Sequence, residues 1–525
     1  MIYSLYKTSL FRKDIYGIIL CFFITLLQYV CFYALLREHS CLHFISLFGI
    51  IFLCFFVKIP NTIKYFYFTI YTIILFFGFV FFNFGRAFTL YDVCAFLDSD
   101  IIESLSFFIE YKYCLFILIL VGTFIYMSKP FEYKFKKSYT LIAICLFITP
   151  YNNICYIIYK GNKLRNHELN RFYSDREDAK RYLESIDFKI NNKNYNIIVV
   201  IGESANRNYM SSFGYSNSVT TPELDRAEWI KFPFAVSYDT MTSSCVPISL
   251  SYANSYNNKN FTNSFSVIDV LNKLGVETYW ISNQSKYGSP FIRILGESCK
   301  ITNFINSDIS ITDLSKFDYS AINDGNIPEL FNQYFINRDK NKTNVFFIHL
   351  YGSHFPYRLR YTDEYEKSNH NTIDEYISSI KFTDMVLSKI KNIIKQEKNS
   401  PCVIIYYSDH GEDIGKPRSL NIKDFNRNMV EIPFAVYLSD KFKIIHREKF
   451  KNIEKNKNNI FTNDLIYNVI LDSLDVTTSH THNNIYNIFC NEFYINKPLT
   501  LHREINILKQ NNKLIYIKKT QWYYP

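Results

Sequence analysis

The sequence predicts an N-terminal domain of five membrane-spanning helices, followed by an exported α/β domain built on a mostly parallel sheet. Three observations carry that expectation. Long uncharged apolar runs are confined to the first ~160 residues. Lys and Arg are unevenly shared between the short loops that separate those runs. From Asn194 onward strand-like and helix-like segments alternate, the pattern of a sheet with helices on both faces. A chain of 525 residues is in any case too long for one ordinary domain.

The apolar runs are Ile15–Leu36, Leu42–Val57, Tyr65–Phe84, Tyr113–Met127 and Tyr139–Ile158, lengths that suit a hydrocarbon core of ~30 Å. The first is too long for a cleaved signal peptide, and no small-residue cleavage site follows it. With the N-terminus inside, the inner segments hold Lys7, Arg12, Lys13, Lys58, Lys64, Lys129, Lys134, Lys136 and Lys137, whereas the outer ones hold only Arg37, Arg86 and Lys112. An odd number of spans then exports the remainder, which in a bacterium means an inner-membrane protein with its large domain in the periplasm. The expected domains are 1–160 in the membrane, 161–193 as a charged interfacial linker helix, and 194–525 as the exported catalytic part. The net charge of +10 suits membrane lipids as neighbours, and no nucleic-acid partner is expected. Of the 12 cysteines only Cys245, Cys299, Cys402 and Cys490 lie in the exported part, too few and too widely spaced for a disulfide framework.

Within the exported part, Ile197–Ile201, Glu277–Ile281, Asn344–Leu350, Val403–Tyr407 and Phe434–Leu438 read as strands. Val267–Leu274 and the amphipathic Tyr376–Glu397 read as helices. The first strand ends in Gly202-Glu203-Ser204, and the Val403–Tyr407 strand ends in Ser408-Asp409-His410-Gly411-Glu412. Open α/β sheets put their chemistry at the carboxyl ends of their strands. Glu203, Asp409 and His410 offer hard oxygen and imidazole together, a set that suits zinc ahead of manganese. Between them in sequence lies Thr240-Met241-Thr242-Ser243-Ser244. A metal would activate one of these hydroxyls as a nucleophile without a separate base. Thr242 is the candidate, and spacing alone leaves Thr240, Ser243 and Ser244 as competitors.

At this point the residues resemble the phosphoethanolamine transferases, membrane enzymes of the alkaline phosphatase/sulfatase superfamily that decorate lipid A or lipopolysaccharide core. The resemblance runs through Gly202-Glu203-Ser204-Ala205, Phe213-Gly214-Tyr215, Thr220-Thr221-Pro222-Glu223-Leu224-Asp225, Thr242 with Val246-Pro247, Gly352-Ser353-His354, Ser408–Glu412 and Asn428–Phe434. It covers nearly the whole exported domain in order, and five spans match as well. It implies a sulfatase-like fold with a zinc site made of Glu203, Thr242, Asp409 and His410. Thr242 would be the nucleophile that becomes phosphoethanolamine-modified, with phosphatidylethanolamine as donor and lipid A or another lipopolysaccharide glycan as acceptor. His354 matches a family histidine that contacts the substrate phosphate or a second metal. Lys286 matches a substrate-binding lysine, at a different local spacing.

The chain also departs from the family pattern. Asp413 to Asn428 contains no histidine where family members carry one, and the Cys pairs that brace lipid A-modifying members are missing. His480 and His482 read as surface residues of a polar loop, His349 as a core histidine, and Arg207 and Asn208 as capping or surface contacts. The rival functions are phosphoglycerol transfer, another hydrolase or transferase of the superfamily, and a non-catalytic membrane sensor on a degenerate enzyme fold. A true sulfatase carries Cys/Ser-x-Pro-x-Arg; Cys245-Val246-Pro247-Ile248-Ser249 lacks the Arg.

Overall fold

The computed structural model describes residues 88–99 and 138–518, apart from 192, 258, 306–321, 367–370, 415–423, 479–485 and 496, together with positions 26 and 104. The chain divides into two compact units, 1–97 with 102–165, and 98–101 with 166–525. The first four expected spans lie outside the described residues save Leu26, and so do His480 and His482. The backbone of the fifth falls in the 47-residue helix Ser138–Glu184, which also includes much of the expected linker helix. Among the described residues no helix is long and apolar enough to cross a membrane. In the first unit, Gly161 lets this helix approach the helix Leu90–Asp98: a Cβ there would lie 2.6 Å from that of Val93.

The second unit is built on a seven-stranded sheet. Its strands are β1 (Asn196–Gly202), β2 (Trp229–Lys231), β3 (Glu277–Ser282), β4 (Ile301–Phe304), β5 (Asn344–His349), β6 (Cys402–Ser408) and β7 (Phe434–Leu438). Their spatial order is β2-β7-β6-β1-β5-β3-β4. The run from β6 to β4 is parallel, whereas β7 and β2 are antiparallel to their neighbours. The sheet is therefore mixed and mostly parallel. The two edge strands β2 and β4 escaped prediction because three or four residues carry too little periodicity to separate a strand from a loop.

Central strands buried on both faces lose the usual apolar-polar alternation and read as continuous apolar runs. In β1, Ile197, Val199 and Ile201 enter one core, shared with Val267, Leu271, Ile466 and Ile470 from two helices on that side. Ile198 and Val200 enter the opposite core with Ile327, Phe331, Val386 and Ile390. β6 divides likewise, with Val403, Ile405 and Tyr407 on one side and Cys402, Ile404 and Tyr406 on the other. Each buried aliphatic side chain contributes roughly 1.5–3 kcal/mol, so the register of these strands is strongly specified. Gly202 pairs with Ser408, which sets the carboxyl ends of β1 and β6 side by side. The buried Cys245, Cys299 and Cys402 are free thiols.

Candidate active site

Adjacent β1 and β6 end level with each other, so the residues that follow, Glu203 and Asp409-His410, emerge at one place. The turn after β1 is sharp because Ser204 adopts a left-handed φ of +57°, a conformation that a non-glycine residue keeps only when its surroundings hold it. They do: Ser204 N–H donates to Asp409 Oδ1 (3.1 Å), and Ser204 Oγ donates to Glu203 Oε1 (2.8 Å). Its carbonyl accepts from the Tyr376 hydroxyl (2.8 Å). Ala205 N–H donates to Ser408 Oγ (2.8 Å). Glu203, Asp409 and His410 are all buried.

The hydroxyl arrives from a third segment. Thr242 is the first residue of the helix Thr242–Ser249, where the helix dipole favours negative charge. Thr242 Oγ1 lies 3.1 Å from each Glu203 carboxylate oxygen and 3.2 Å from His410 Nε2. His410 Nε2 lies 3.2 Å from Glu203 Oε1 and 3.3 Å from Asp409 Oδ2. A competing hydroxyl of the segment goes elsewhere. Ser244 Oγ donates to Asp239 Oδ2 and to the Met241 carbonyl, and Thr240 is fully buried with its N–H on Asp239 Oδ1. Cys245 is also fully buried, and that burial drives its thiol well above the ordinary range, which suits packing and not nucleophilic attack.

The donor set fits a tetrahedral divalent ion. His410 Nδ1 faces the Gly411 carbonyl at 2.7 Å; a carbonyl only accepts, so Nδ1 bears the proton and the Nε2 lone pair points into the cluster. Carboxylate and imidazole ligand atoms of Glu203, Asp409 and His410 lie within 4.8 Å of one another. Separations of 3.1–3.3 Å around Thr242 and His410 match the edge of a tetrahedron with bonds of about 2.0 Å.

The turn Gly352-Ser353-His354 packs on the backbone of Glu203. Gly352 has φ +52°, and a Cβ there would sit 2.7 Å from the Glu203 carbonyl oxygen and 2.8 Å from its nitrogen. Ser353 N–H donates to that same oxygen (2.9 Å). Buried Asp324 holds the turn by accepting from Tyr351 N–H and Gly352 N–H. His354 turns Nδ1 to the Phe355 carbonyl at 2.6 Å, and its own carbonyl accepts from Arg360 Nε. Lys286 carries its ammonium 5.2 Å above the Tyr287 ring; it is Gln284, two residues earlier, that reaches the cluster. Gln284 Nε2 donates to Glu203 Oε2 (3.3 Å) and to the Leu350 carbonyl (2.9 Å).

Asn463 is another residue that the sequence did not point to. Fully buried, it accepts from Tyr238 N–H (2.7 Å) and donates to the Asp409 carbonyl (2.6 Å), tying the loop before Thr242 to the loop of Asp409. No motif flagged it, because a lone Asn at a helix entry looks like any cap. His349 is fully buried and pushed down to about 4 by loss of solvent, so it is a neutral core residue. Arg207 and Asn208 meet Glu431.

Gly411 is the tightest point of the Asp409 loop. A Cβ at this position would fall 2.2 Å from the Asn428 carbonyl oxygen and 3.0 Å from the Met429 carbonyl carbon, backbone atoms that cannot swing aside. Gly411→Ala is therefore expected to cost about 1–3 kcal/mol of stability and to lower activity by displacing His410. Thermal unfolding beside turnover checks this; an unchanged melting temperature would show that the loop opens freely.

A family profile described as Sulfatase matches residues 195–474. The chain is 26% identical over 281 residues to the phosphoethanolamine transferase EptC of Escherichia coli O18:K1:H7, covering 48% of this chain and 47% of that protein. It is 26% identical over 302 residues to the phosphoethanolamine transferase EptA of Helicobacter pylori, covering 52% and 53%. The chain thus spans about half the length of the curated relatives it matches. Among solved structures, it resembles an integral membrane protein, the lipooligosaccharide phosphoethanolamine transferase A of Neisseria meningitidis (TM-score 0.62, 18% identity, 89% of this chain and 97% of that one). It also resembles the C-terminal periplasmic domain of EptC from Escherichia coli in complex with Zn (TM-score 0.53, 20% identity, 63% and 95%). These structures speak for the fold, and the family resemblance read from the sequence is borne out.

Proposed function

Because the chain belongs to the sulfatase family, on the side of its phosphoethanolamine transferases, we propose that it transfers phosphoethanolamine from phosphatidylethanolamine to a cell-surface glycolipid. The acceptor would be lipid A or the lipopolysaccharide core. The observation that carries this reading is the convergence of one hydroxyl on two side chains of the cluster from two other segments: Thr242 Oγ1 at 3.1 Å from Glu203 and 3.2 Å from His410. The same reading makes residues 1–160 an inner-membrane domain and residues 194–525 a periplasmic catalytic domain. A membrane anchor suits the chemistry, since donor and acceptor are both lipids and tethering raises their effective concentration.

Glu203, Asp409, His410 and Thr242 would hold the zinc ion, which supplies Lewis acidity that lowers the hydroxyl pKa and neutralises phosphate charge. Thr242 Oγ1 attacks the donor phosphorus in line, an Oγ–P bond forms, and the bond to the diacylglycerol oxygen breaks. An acceptor oxygen then attacks the phosphoethanolamine-threonine: its bond to phosphorus forms as the Oγ–P bond breaks, which regenerates the Thr242 side chain. The helix N-terminus that begins at Thr242 favours the charge that gathers there. His410 keeps its Nε2 lone pair on the site through the Nδ1 contact with Gly411. Gln284 orients Glu203 by its hydrogen bond to Oε2. His354 and Lys286 are assigned to the substrate phosphate. The Cys245 segment lacks the arginine of a true sulfatase and its thiol is buried, so sulfate-ester chemistry is not favoured.

Mass spectrometry of lipopolysaccharide fractions from cells with and without the protein tests the acceptor. A phosphoethanolamine-sized mass gain is expected in the lipid A or core fraction of producing cells only. No gain in any fraction would sink the acceptor proposal, and diacylglycerol release from phosphatidylglycerol instead would move the reading to phosphoglycerol transfer.

A further inference from the structure

Asp239 lies three residues before Thr242 and is fully buried. Its Oδ1 accepts from Thr240 N–H (2.8 Å) and its Oδ2 from Ser244 Oγ (2.9 Å). These hydrogen bonds fall two residues before and two residues after Thr242, so one carboxylate brackets the entry to its helix. Its backbone joins in, since Ser237 Oγ donates to the Asp239 carbonyl (2.5 Å).

The same Oδ2 meets His502 Nε2 at 2.9 Å. His502 arrives on an unusual turn: Leu501, His502 and Arg503 have consecutive left-handed φ angles of 51°, 50° and 70°, a run that non-glycine residues avoid unless held. The turn is anchored on all sides. Leu501 is fully buried, Thr500 Oγ1 donates to the Ser237 carbonyl (2.6 Å), and Arg503 donates to the carbonyls of Asn254 and Lys259. Such anchoring sets the imidazole on Asp239 and leaves its side chain 42% exposed. The groups that face it are Asp239 from the nucleophile loop, Glu168 from the helix Ser138–Glu184, Glu504 from its own turn, and the Tyr238 ring at 6.0 Å. Loss of solvent works against the imidazolium, but Asp239, the hydrogen bond to it, Glu168 and Glu504 outweigh that and hold His502 above its ordinary value.

We propose that His502 is a positioning residue for the nucleophile: in its cationic form it secures Asp239, and through Asp239 it holds Thr240 and Ser244 so that Thr242 stays on the Glu203–Asp409–His410 cluster. The proposal rests on the assignment of Thr242 as nucleophile. A histidine raised by its partners makes its contribution below its ordinary pKa and loses it as pH climbs through the raised one. The benefit to catalysis therefore belongs to neutral pH and fades on the alkaline side.

The test measures kcat and KM for phosphatidylethanolamine from pH 6 to 9 with the full chain in lipid nanodiscs, beside the intact mass of the protein during turnover. His502→Ala is expected to lower kcat roughly 10- to 100-fold at neutral pH with KM little changed. The gap should close at alkaline pH, and added imidazole should restore part of the rate. His502→Gln, which offers a hydrogen bond without charge, should give a low rate without the alkaline fall. Wild-type kcat in His502→Ala at neutral pH overturns the proposal. So does a loss that is equal at every pH, accompanies a lower melting temperature and does not respond to imidazole, because that pattern is plain destabilisation. Failure of the underlying assignment appears in another arm, as full turnover by Thr242→Ala, and takes this inference with it.

Discussion

Thr242→Ala is expected to reduce turnover by roughly a thousandfold or more and to abolish the covalent phosphoethanolamine adduct in the intact-mass spectrum. The side chain is half-exposed at the start of its helix, so little packing is lost and the fold should persist. Thr242→Ser keeps an oxygen near the same point and should keep a measurable fraction of the rate. Ser243→Ala should retain most activity, because Thr242 is the hydroxyl within 3.1 Å of Glu203 and 3.2 Å of His410. Turnover in Thr242→Ala within tenfold of the unmodified protein would rule out a threonine nucleophile and favour direct transfer or a scaffold role.

The second large effect concerns charge in the cluster. Asp409→Asn preserves shape and retains an Oδ1 acceptor for the N–H groups of Ser204 (3.1 Å) and His410 (2.7 Å). It replaces Oδ2, which faces His410 Nε2 at 3.3 Å, with an NH2 group that cannot ligate a cation. Zinc affinity is expected to fall at least about 100-fold, with activity falling in parallel and partly recovering in excess zinc. Removing the ion by chelation should lower the melting temperature of the unmodified protein, by the amount that mass action sets for a ligand bound to the native state. Chelator competition monitored with a zinc dye reads the affinity, and unfolding with and without chelator reads the linkage. Equal zinc affinity in Asp409→Asn would remove this carboxylate from the ligand set.

Asp409 was already visible in the sequence as a residue at a strand end, and Thr242 as one hydroxyl among several. The central strands were legible because burial on both faces turns them into unbroken apolar runs: Phe434–Leu438 matches its expected bounds, and Asn196–Gly202 and Cys402–Ser408 extend theirs by one residue at each end. Strand direction was not legible, because the same run suits either direction, and β7 proves antiparallel. Among the hydroxyls of the Thr240–Ser244 segment, the chemistry of the residue types is the same. Only the position of the helix start separates Thr242, on the cluster, from Ser244, on Asp239. In the segment of Lys286, whose ammonium lies over the Tyr287 ring, Gln284, which no sequence pattern singled out, reaches Glu203. Asn463 and His502 lie more than 220 residues beyond Thr242 in the chain, and no local pattern ties them to the site.

By itself, then, the sequence determined the class of the domain that follows Asn194, the two strand ends that carry Glu203 and Asp409-His410, and the family to which these residues belong. Those are properties of local runs: continuous apolarity specifies a buried strand, and a polar residue at its end has one place to go. The tertiary structure decided which hydroxyl meets the cluster, which neighbours orient it, and how Asp239, Asn463 and His502 brace it. Hydrogen bonds of about 3 Å between distant segments depend on how the layers pack, and that packing is written across the whole chain and not in any one motif.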